Sequence, residues 1–310
     1  MKIGPLEVVF HRTVRVADGK QPAALPPSLG HMEEFRVQDY AGRCPAGWVP
    51  WGSFVALHDT EALWMSFRPA GEPVAVVIGA GGINALTGER LGTALVKDGY
   101  LVTPPQLWLD GWKAPDGTVY QFVATPHQKG EGLTVGEQLL GAESETGAIG
   151  LSVYQAKNPA KLAPYWTPLE GWGDDPYGAP EHWQAHAGAK LRAASSQVRE
   201  RAVPWGEMGL GKGGKIRQKV YPDPHGIEVW REASTGAGVV YLVTAAAFQE
   251  ITGRALPPPT AQAGYKGPWF DLADKTHQDQ PGSPKFEGLK PAAQEHEPPP
   301  AVFPADRKGA

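Results

Sequence analysis

Two glycine-rich stretches carry the residue types that cradle phosphate. PVAVVIGAGGINALTGERLGTALVKDGY (73–100) runs an apolar strand into Gly79-Ala80-Gly81-Gly82, as a dinucleotide fold does where it offers pyrophosphate to a helix N-terminus. The third glycine of G-x-G-x-x-G is Asn84, however, and Gly88 falls inside the would-be helix, where glycine costs about 1 kcal/mol relative to alanine. Residues 100–125 read as an antiparallel hairpin and not as a βαβ repeat. A glycine turn between antiparallel strands is therefore expected here, with nucleotide binding as the minority reading. Gly209-Leu210-Gly211-Lys212-Gly213-Gly214-Lys215 fits the spacing G-x-x-x-x-G-K, but Ile216 stands where a phosphate loop needs a Mg²⁺-binding hydroxyl, and a strand follows where a helix should. This stretch reads as a flexible glycine loop entering a strand over Lys215–Tyr221.

Acid–base chemistry has four candidates, Asp110, His127, His225 and Asp271. Carboxylates paired with His127 or His225 would suit a hydrolase if they converged within hydrogen-bond reach. Asp223 and His225 flank Pro224 in YPDPHG, which reads first as a turn. His182 and His186 have the i, i+4 spacing that puts two imidazoles on one helix face, as zinc ligation requires. Trp183-Gln184-Ala185 lies between them without the glutamate of a metalloprotease, so a solvated segment is the favoured reading and no metal or cofactor is expected. Cys44 sits in the turn-like RCPAGW, and no histidine is marked as its base. There is no Gly-x-Ser-x-Gly nucleophile elbow.

The 11 tryptophans are the densest remaining feature. Each brings a large apolar area and an N–H that needs a partner. Trp64 and Trp108 are expected in the core. Trp112, beside a hairpin turn, Trp166 and Trp172 in a Pro-rich stretch, and Trp269 are candidates for a binding face or a seam.

These residues must be positioned by a chain of 310 residues with 39 glycines and 31 prolines, nearly twice the usual share of the two together. Such a content borders on low complexity, but 41% of the residues are hydrophobic, and disordered chains are poor in aromatics. The net charge of −4 and pI near 6.1 lack the basic footprint of a nucleic-acid binder. One cysteine excludes an internal disulfide framework. MKIGPLEVVFHRTVRVAD has no signal-peptide apolar stretch, and no run of 18 apolar residues suggests a membrane span; the reading is soluble and cytoplasmic.

Strands are expected over Leu6–Val16, Ala62–Arg68, Pro73–Ile78, Tyr100–Trp108, Thr118–Thr125 and Gly150–Tyr154, with Pro115-Asp116-Gly117 turning a hairpin within 105–125. Thr134 and Glu137 form a capping box for a short helix stopped by Gly141. Val239–Val243 reads as a buried strand, and Thr244 caps a helix running to Ile251. Together these predict a β-rich α+β protein. Residues 1–157 form an antiparallel, sandwich-like domain; 158–204 a Pro/Trp-rich connector holding a polar helix at 185–201; 205–274 a smaller α+β unit; and 275–310 a disordered tail.

Several phrases also occur together in a family of uncharacterised bacterial and fungal proteins. They are LPPSLGHMEEFRVQDY (25–40), EALWMSFRPAG (61–71), GGINALTGE (81–89), YLVTPPQLWLDG (100–111), QFVAT (121–125), EGLTVGEQLLG (131–141), GLGKGGKIRQKVYPDPHGIEVW (209–230), VYLVTAAAFQEITGRALPPP (240–259) and GPWFDL (267–272). The chain resembles that family over about three-quarters of its length. The resemblance brings no activity with it; it implies that Trp108-Leu109-Asp110-Gly111 and Trp269-Phe270-Asp271 matter to a common fold, with Asp110 either capping a turn or receiving a hydrogen bond from a neighbouring backbone group.

The expected function is non-catalytic binding or structure, with the chain itself or another protein as partner, and neither nucleic acid nor membrane. The alternatives are a hydrolase built on the Asp and His groups above, or a nucleotide-dependent enzyme using Gly79–Gly82.

Overall fold

The computed structural model describes residues 1–19, 21–128, 133–144, 146–162, 206–257 and 278–292. Trp166, Trp172, His182, His186, Trp269 and Asp271 lie outside the described residues, as does nearly all of the Pro/Trp-rich connector, its expected helix included.

The strands are β1 (Lys2–Ile3), β2 (Leu6–Thr13), β3 (Ser28–His31), β4 (Phe35–Arg36), β5 (Ser53–Ala56), β6 (Ala62–Pro69), β7 (Val74–Ala80) and β8 (Ile83–Asn84). They continue with β9 (Leu101–Thr103), β10 (Trp108–Leu109), β11 (Gly111–Lys113), β12 (Val119–Pro126), β13 (Ile149–Gln155), β14 (Glu207–Ile216) and β15 (Gly236–Val243). The α-helices among the described residues are α1 (Val135–Leu140) and α2 (Ala245–Thr252), both short. The protein is β-rich, and among the described residues every strand pair is antiparallel except β5 on β15.

Local chemistry explains most of these elements. In β2, Leu6, Val8 and Phe10 point into the core on alternate residues, the two-residue period of a strand. β7 and β12 are buried along their whole lengths; β7 reads as a continuous apolar run, whereas β12 also buries Gln121 and Thr125. Gly81 and Gly82 both have positive φ (58° and 78°) between the paired Ala80 and Ile83, the two-residue turn that matches the twist of a hairpin. The 79–82 stretch is thus a hairpin turn, and residues 83–97 hold no helix. Thr134 and Glu137 make the expected capping box, and Gly253 closes α2 in the left-handed conformation.

The pairing runs β1-β2-β6-β12-β14-β15-β13-β7-β8. β9 pairs with β7, and β10 pairs with β6. Since β9 and β10 belong to one stretch, Leu101–Leu109 carries the pairing from β7 back to β6 and closes it into a ring. A single stretch of Tyr100–Trp108 as one strand is what sequence suggests; Pro104 and Pro105, which lack N–H donors, divide it.

β14 lies between β12 and β15, and β15 between β14 and β13. The described part of the expected 205–274 unit is therefore woven into the same sheet as residues 2–155, and one core cluster runs from Ile3 to Phe286. The strand expected at 215–221 is displaced too. β14 spans the glycine run itself, and 217–221 is instead tied to 106–110 by glutamine side chains. Residues 278–292, which composition assigns to a disordered tail, pack against the core, with Phe286 fully buried. No helix among the described residues is long and apolar enough to cross a membrane.

Candidate functional site

Asp110 sits between β10 and β11, fully buried. Its backbone N–H donates to Gln218 Oε1 at 3.0 Å, and its carbonyl accepts from Phe122 N–H at 2.9 Å. The amide of Gln218 also donates to the Trp108 carbonyl (3.2 Å), as does that of Gln106 (2.7 Å), while Gln106 Oε1 accepts from Tyr221 N–H. These two glutamines hold residues 217–221 against 106–110. The Asp110 carboxyl is less well served. Oδ2 has no hydrogen-bond partner, and burial pushes the group up to about 8, opposed by a hydrogen bond from Trp108. It holds its proton at neutral pH as a buried acid.

The other acid–base candidates are elsewhere. His127 follows β12, with Nε2 3.4 Å from Ser144 Oγ. It is five residues beyond Phe122, the contact of Asp110, roughly 16 Å along a strand. His225 lies in the turn after Tyr221. Its backbone N–H donates to Asp223 Oδ1 (2.8 Å), and Asp223 Oδ2 accepts from Tyr100 Oη (2.6 Å) and Trp230 Nε1 (2.8 Å). Asp223 thereby anchors the turn to a small aromatic cluster. Burial lowers the His225 pKa, and Asp223 opposes the shift. His127 is thus set apart from Asp110, and His225 contacts Asp223 and Trp230. Cys44 is partly buried, which raises its thiol pKa against the pull of Arg43.

A buried cluster that sequence reading misses is formed by His11. Its ring stacks on Trp64 (3.8 Å, 3°) and meets the edge of His31 at 4.7 Å. Nε2 is hydrogen-bonded to Ser66 Oγ (2.8 Å) and Nδ1 to Ser28 Oγ (3.0 Å). A serine hydroxyl on an imidazole is the first half of a nucleophile–base pair. The orienting group is a hydroxyl here, not a carboxylate, and burial with His31 and Arg68 nearby lowers the His11 pKa to about 3. So weak a base is ill-suited to removing a serine proton near neutrality. Its four partners come from β3 (Ser28, His31) and β6 (Trp64, Ser66), which it fastens to its own strand, β2. Alternation in LEVVFHRT places His11 on the face opposite Phe10, but nothing local reveals Ser28 and Ser66, 17 and 55 residues away in sequence.

The most elaborate recognition geometry belongs to a groove along β11, β14 and the 217–221 stretch, filled by residues 278–292. Lys113, whose side chain is fully buried, directs Nζ to both oxygens of Asp279 at 2.8 Å each and to the Gly117 carbonyl at 3.1 Å. Burial lowers its pKa and Asp279 opposes this; Asp279 Oδ1 also accepts from Val220 N–H at 2.9 Å. Seven residues on, Phe286 packs against Trp112, centroids 5.4 Å apart. Lys212 Nζ donates to the carbonyls of Phe286 (3.2 Å) and Glu287 (3.0 Å) and lies 4.6 Å from the Tyr120 ring centre. Main-chain bonds from Gln280 to Val220, Ser283 to Lys113 and Ala292 to Lys212 run along the segment.

The glycines of β14 belong to this design. A Cβ on Gly211 would lie 2.8 Å from Ala292 Cβ, and one on Gly282 would overlap the Ala114 carbonyl. Trp112, a candidate for a binding face or a seam, is fully buried and packs against Phe286. Lys212 and Lys215, spaced like phosphate-loop residues, serve the carbonyls of 286–287 and the Asp116 carboxylate instead.

Among the described residues no group of three or more His, Cys, Asp or Glu is placed to hold a metal ion. No family model matches the chain, nor does any curated protein or solved structure.

Proposed function

We propose that the protein acts by binding, without catalysis of its own, and that what it recognises is an extended peptide. The observation that carries this reading is the groove seated with 278–292. It combines a buried lysine for a carboxylate, an aromatic wall for a phenyl ring seven residues later, a second lysine for the carbonyls beyond it, and interspersed main-chain hydrogen bonds. Main-chain bonds supply affinity and side-chain pockets supply specificity in peptide recognition of this kind. Of the acid and base groups, His11 joins strands and Asp223 ties its turn to Tyr100 and Trp230.

The test uses the full chain with Gly282→Ala, which blocks the resident segment while leaving every groove residue unchanged. A fluorescein-labelled peptide of residues 278–292 is titrated and followed by anisotropy. The wild-type chain competes through its own segment at an effective concentration on the order of millimolar. Binding to the variant is therefore expected to be at least about tenfold tighter than to wild type, and a scrambled peptide should not bind. If the variant keeps its far-UV circular dichroism and the peptide still does not bind, the reading is lost.

A further inference from the structure

The Lys113–Asp279 contact joins β11 to the 278–292 segment across 166 positions of sequence, and its lysine is shut away from water. The Lys113 side chain is 0% exposed, whereas those of Lys215, paired with Asp116, and Lys285, paired with Glu89, keep 22% and 44%. Both partners are fixed by main-chain bonds beside them. Gln280 N–H donates to the Val220 carbonyl at 2.7 Å, and Ser283 N–H to the Lys113 carbonyl at 3.0 Å. Being 2.8 Å from each carboxylate oxygen, Nζ stands roughly 3 Å from Cγ, the separation of a near-attack pair. Val220 N–H donates to Oδ1, where it would stabilise negative charge developing on that oxygen. The Gly117 carbonyl accepts from the ammonium and orients it.

We propose that Lys113 and Asp279 condense to an amide, an isopeptide bond that fastens the segment covalently to the sheet. An ammonium proton passes to Oδ2, and the lone pair of the amine so formed attacks Cγ. The Nζ–Cγ bond forms, and charge gathers on Oδ1 under Val220 N–H. A second proton moves from nitrogen to Oδ2, the Cγ–Oδ2 bond breaks, and water leaves. Nothing is oxidised or reduced, and no further reactant is consumed. Burial favours the amine by lowering the Lys113 pKa, which Asp279 opposes; Asp116 and Lys219 are the other charged groups facing it. Burial would raise Asp116, but hydrogen bonds from Lys215 and Thr118 lower it to about 2. Asp116 therefore stays ionised, and both protons come from the ammonium itself. The drive is the cost of keeping two charges out of water, since the amide removes both at once. The closed ring from 113 to 279 would narrow the unfolded ensemble as a disulfide does, in a chain whose single cysteine allows none within it. The inference concerns the resident segment and stands apart from the peptide reading. Before condensation the seat is open to a competing peptide, and afterwards it is closed.

The mass of the denatured full-length chain reads the bond directly. It should fall one water below the mass of the sequence, and trypsin should release a branched peptide joining the Lys113 and Asp279 fragments. Lys113→Arg keeps the charge without a condensing amine, so it should restore the full mass and lower the melting temperature. Lys215→Arg, which alters the wetter pair, should keep the deficit. A chain of full mass, with its Lys113 and Asp279 peptides recovered separately, overturns the proposal. So does a deficit that maps to Asp116-Gly117, where an aspartate before glycine can close to a succinimide and lose water without the lysine. The wild-type peptide map decides the matter even if Lys113→Arg does not fold. Titration of Gly282→Ala with the labelled peptide is a separate readout. A bound peptide with no branched fragment removes only the bond, and a branched fragment with no bound peptide removes only the binding reading.

Discussion

The glycine pair at 81–82 and the glycines at 209–214 are alike in composition and opposite in use. Gly81 and Gly82 are needed for backbone conformation, since both have positive φ in a two-residue turn. The glycines of β14 sit in an extended strand and are needed for space. A Cβ on Gly214 would run into the Ala17 carbonyl oxygen, one on Gly213 would lie 2.6 Å from Val123 Cγ2, and one on Gly209 2.9 Å from Thr134 Cγ2. Glycine in a strand interior marks a place where another part of the chain comes unusually close. A motif search counts both stretches as candidate phosphate loops, yet one turns a hairpin and the other admits neighbours against a strand.

The widest separation between the two uses should come from Gly214→Ala. Its Cβ would meet backbone, which cannot swing aside as a side chain can, so the sheet must move. A loss of about 3 kcal/mol or more is expected, within the range of severe core disruptions, with a matching fall in the urea midpoint. A loss below about 1 kcal/mol would mean that the close approach at β14 is soft, and the distinction between the two glycine runs would fail.

That distinction marks how far the sequence can be read. Residues whose role is local are legible. Gly81-Gly82, the Thr134–Glu137 box, Pro115-Asp116-Gly117 and the alternation of β2 all depend on neighbours within a few positions. Elements decided by distant partners are not. The close approach of Ala17 to Gly214 joins residues nearly two hundred positions apart, so β14 carries no local sign of being a strand. The same holds for 278–292, whose low apolar content reads as disorder because its burial hangs on one phenyl ring and on a carboxylate and two carbonyls satisfied by Lys113 and Lys212. His11 was hidden for this reason as well. Asp110 was legible as a residue of interest, but not as a buried one.

Asp110 precedes Gly111, another glycine held by sterics, as a Cβ there would overlap the Tyr120 carbonyl. The two neighbours allow a steric effect to be told from an electrostatic one. An Asp whose pKa rises from 3.8 to about 8 on folding keeps its proton in the native state while the unfolded chain releases it. Its contribution is therefore fully present below about pH 4 and is lost as pH climbs toward 8. Asp110→Asn removes this dependence. The variant should gain on wild type as pH rises, at up to about 1.4 kcal/mol per pH unit between pH 4 and 8, when stability is measured by urea unfolding at pH 4, 6 and 8. Gly111→Ala should lose the same amount at all three. Parallel pH profiles for Asp110→Asn and wild type would show that the carboxyl is ionised at little cost in the folded protein.

The smallest effect is expected at the turn. Gly82→Ala places a Cβ on a residue at φ 78°, 3.1 Å from Leu140 Cδ1, and the left-handed region costs a non-glycine residue about 1–2 kcal/mol. Asparagine tolerates that region better than alanine, so Gly82→Asn should recover part of the loss. At Gly214 the same replacement should recover nothing, because what is missing there is room and the larger side chain takes more of it. Thermal unfolding of the four variants thus gives a pattern in which asparagine beats alanine at 82 and not at 214. Equal ranking of the two residues at both positions would show that one constraint governs both glycine runs, and the conformational account of the 81–82 turn would have to be abandoned.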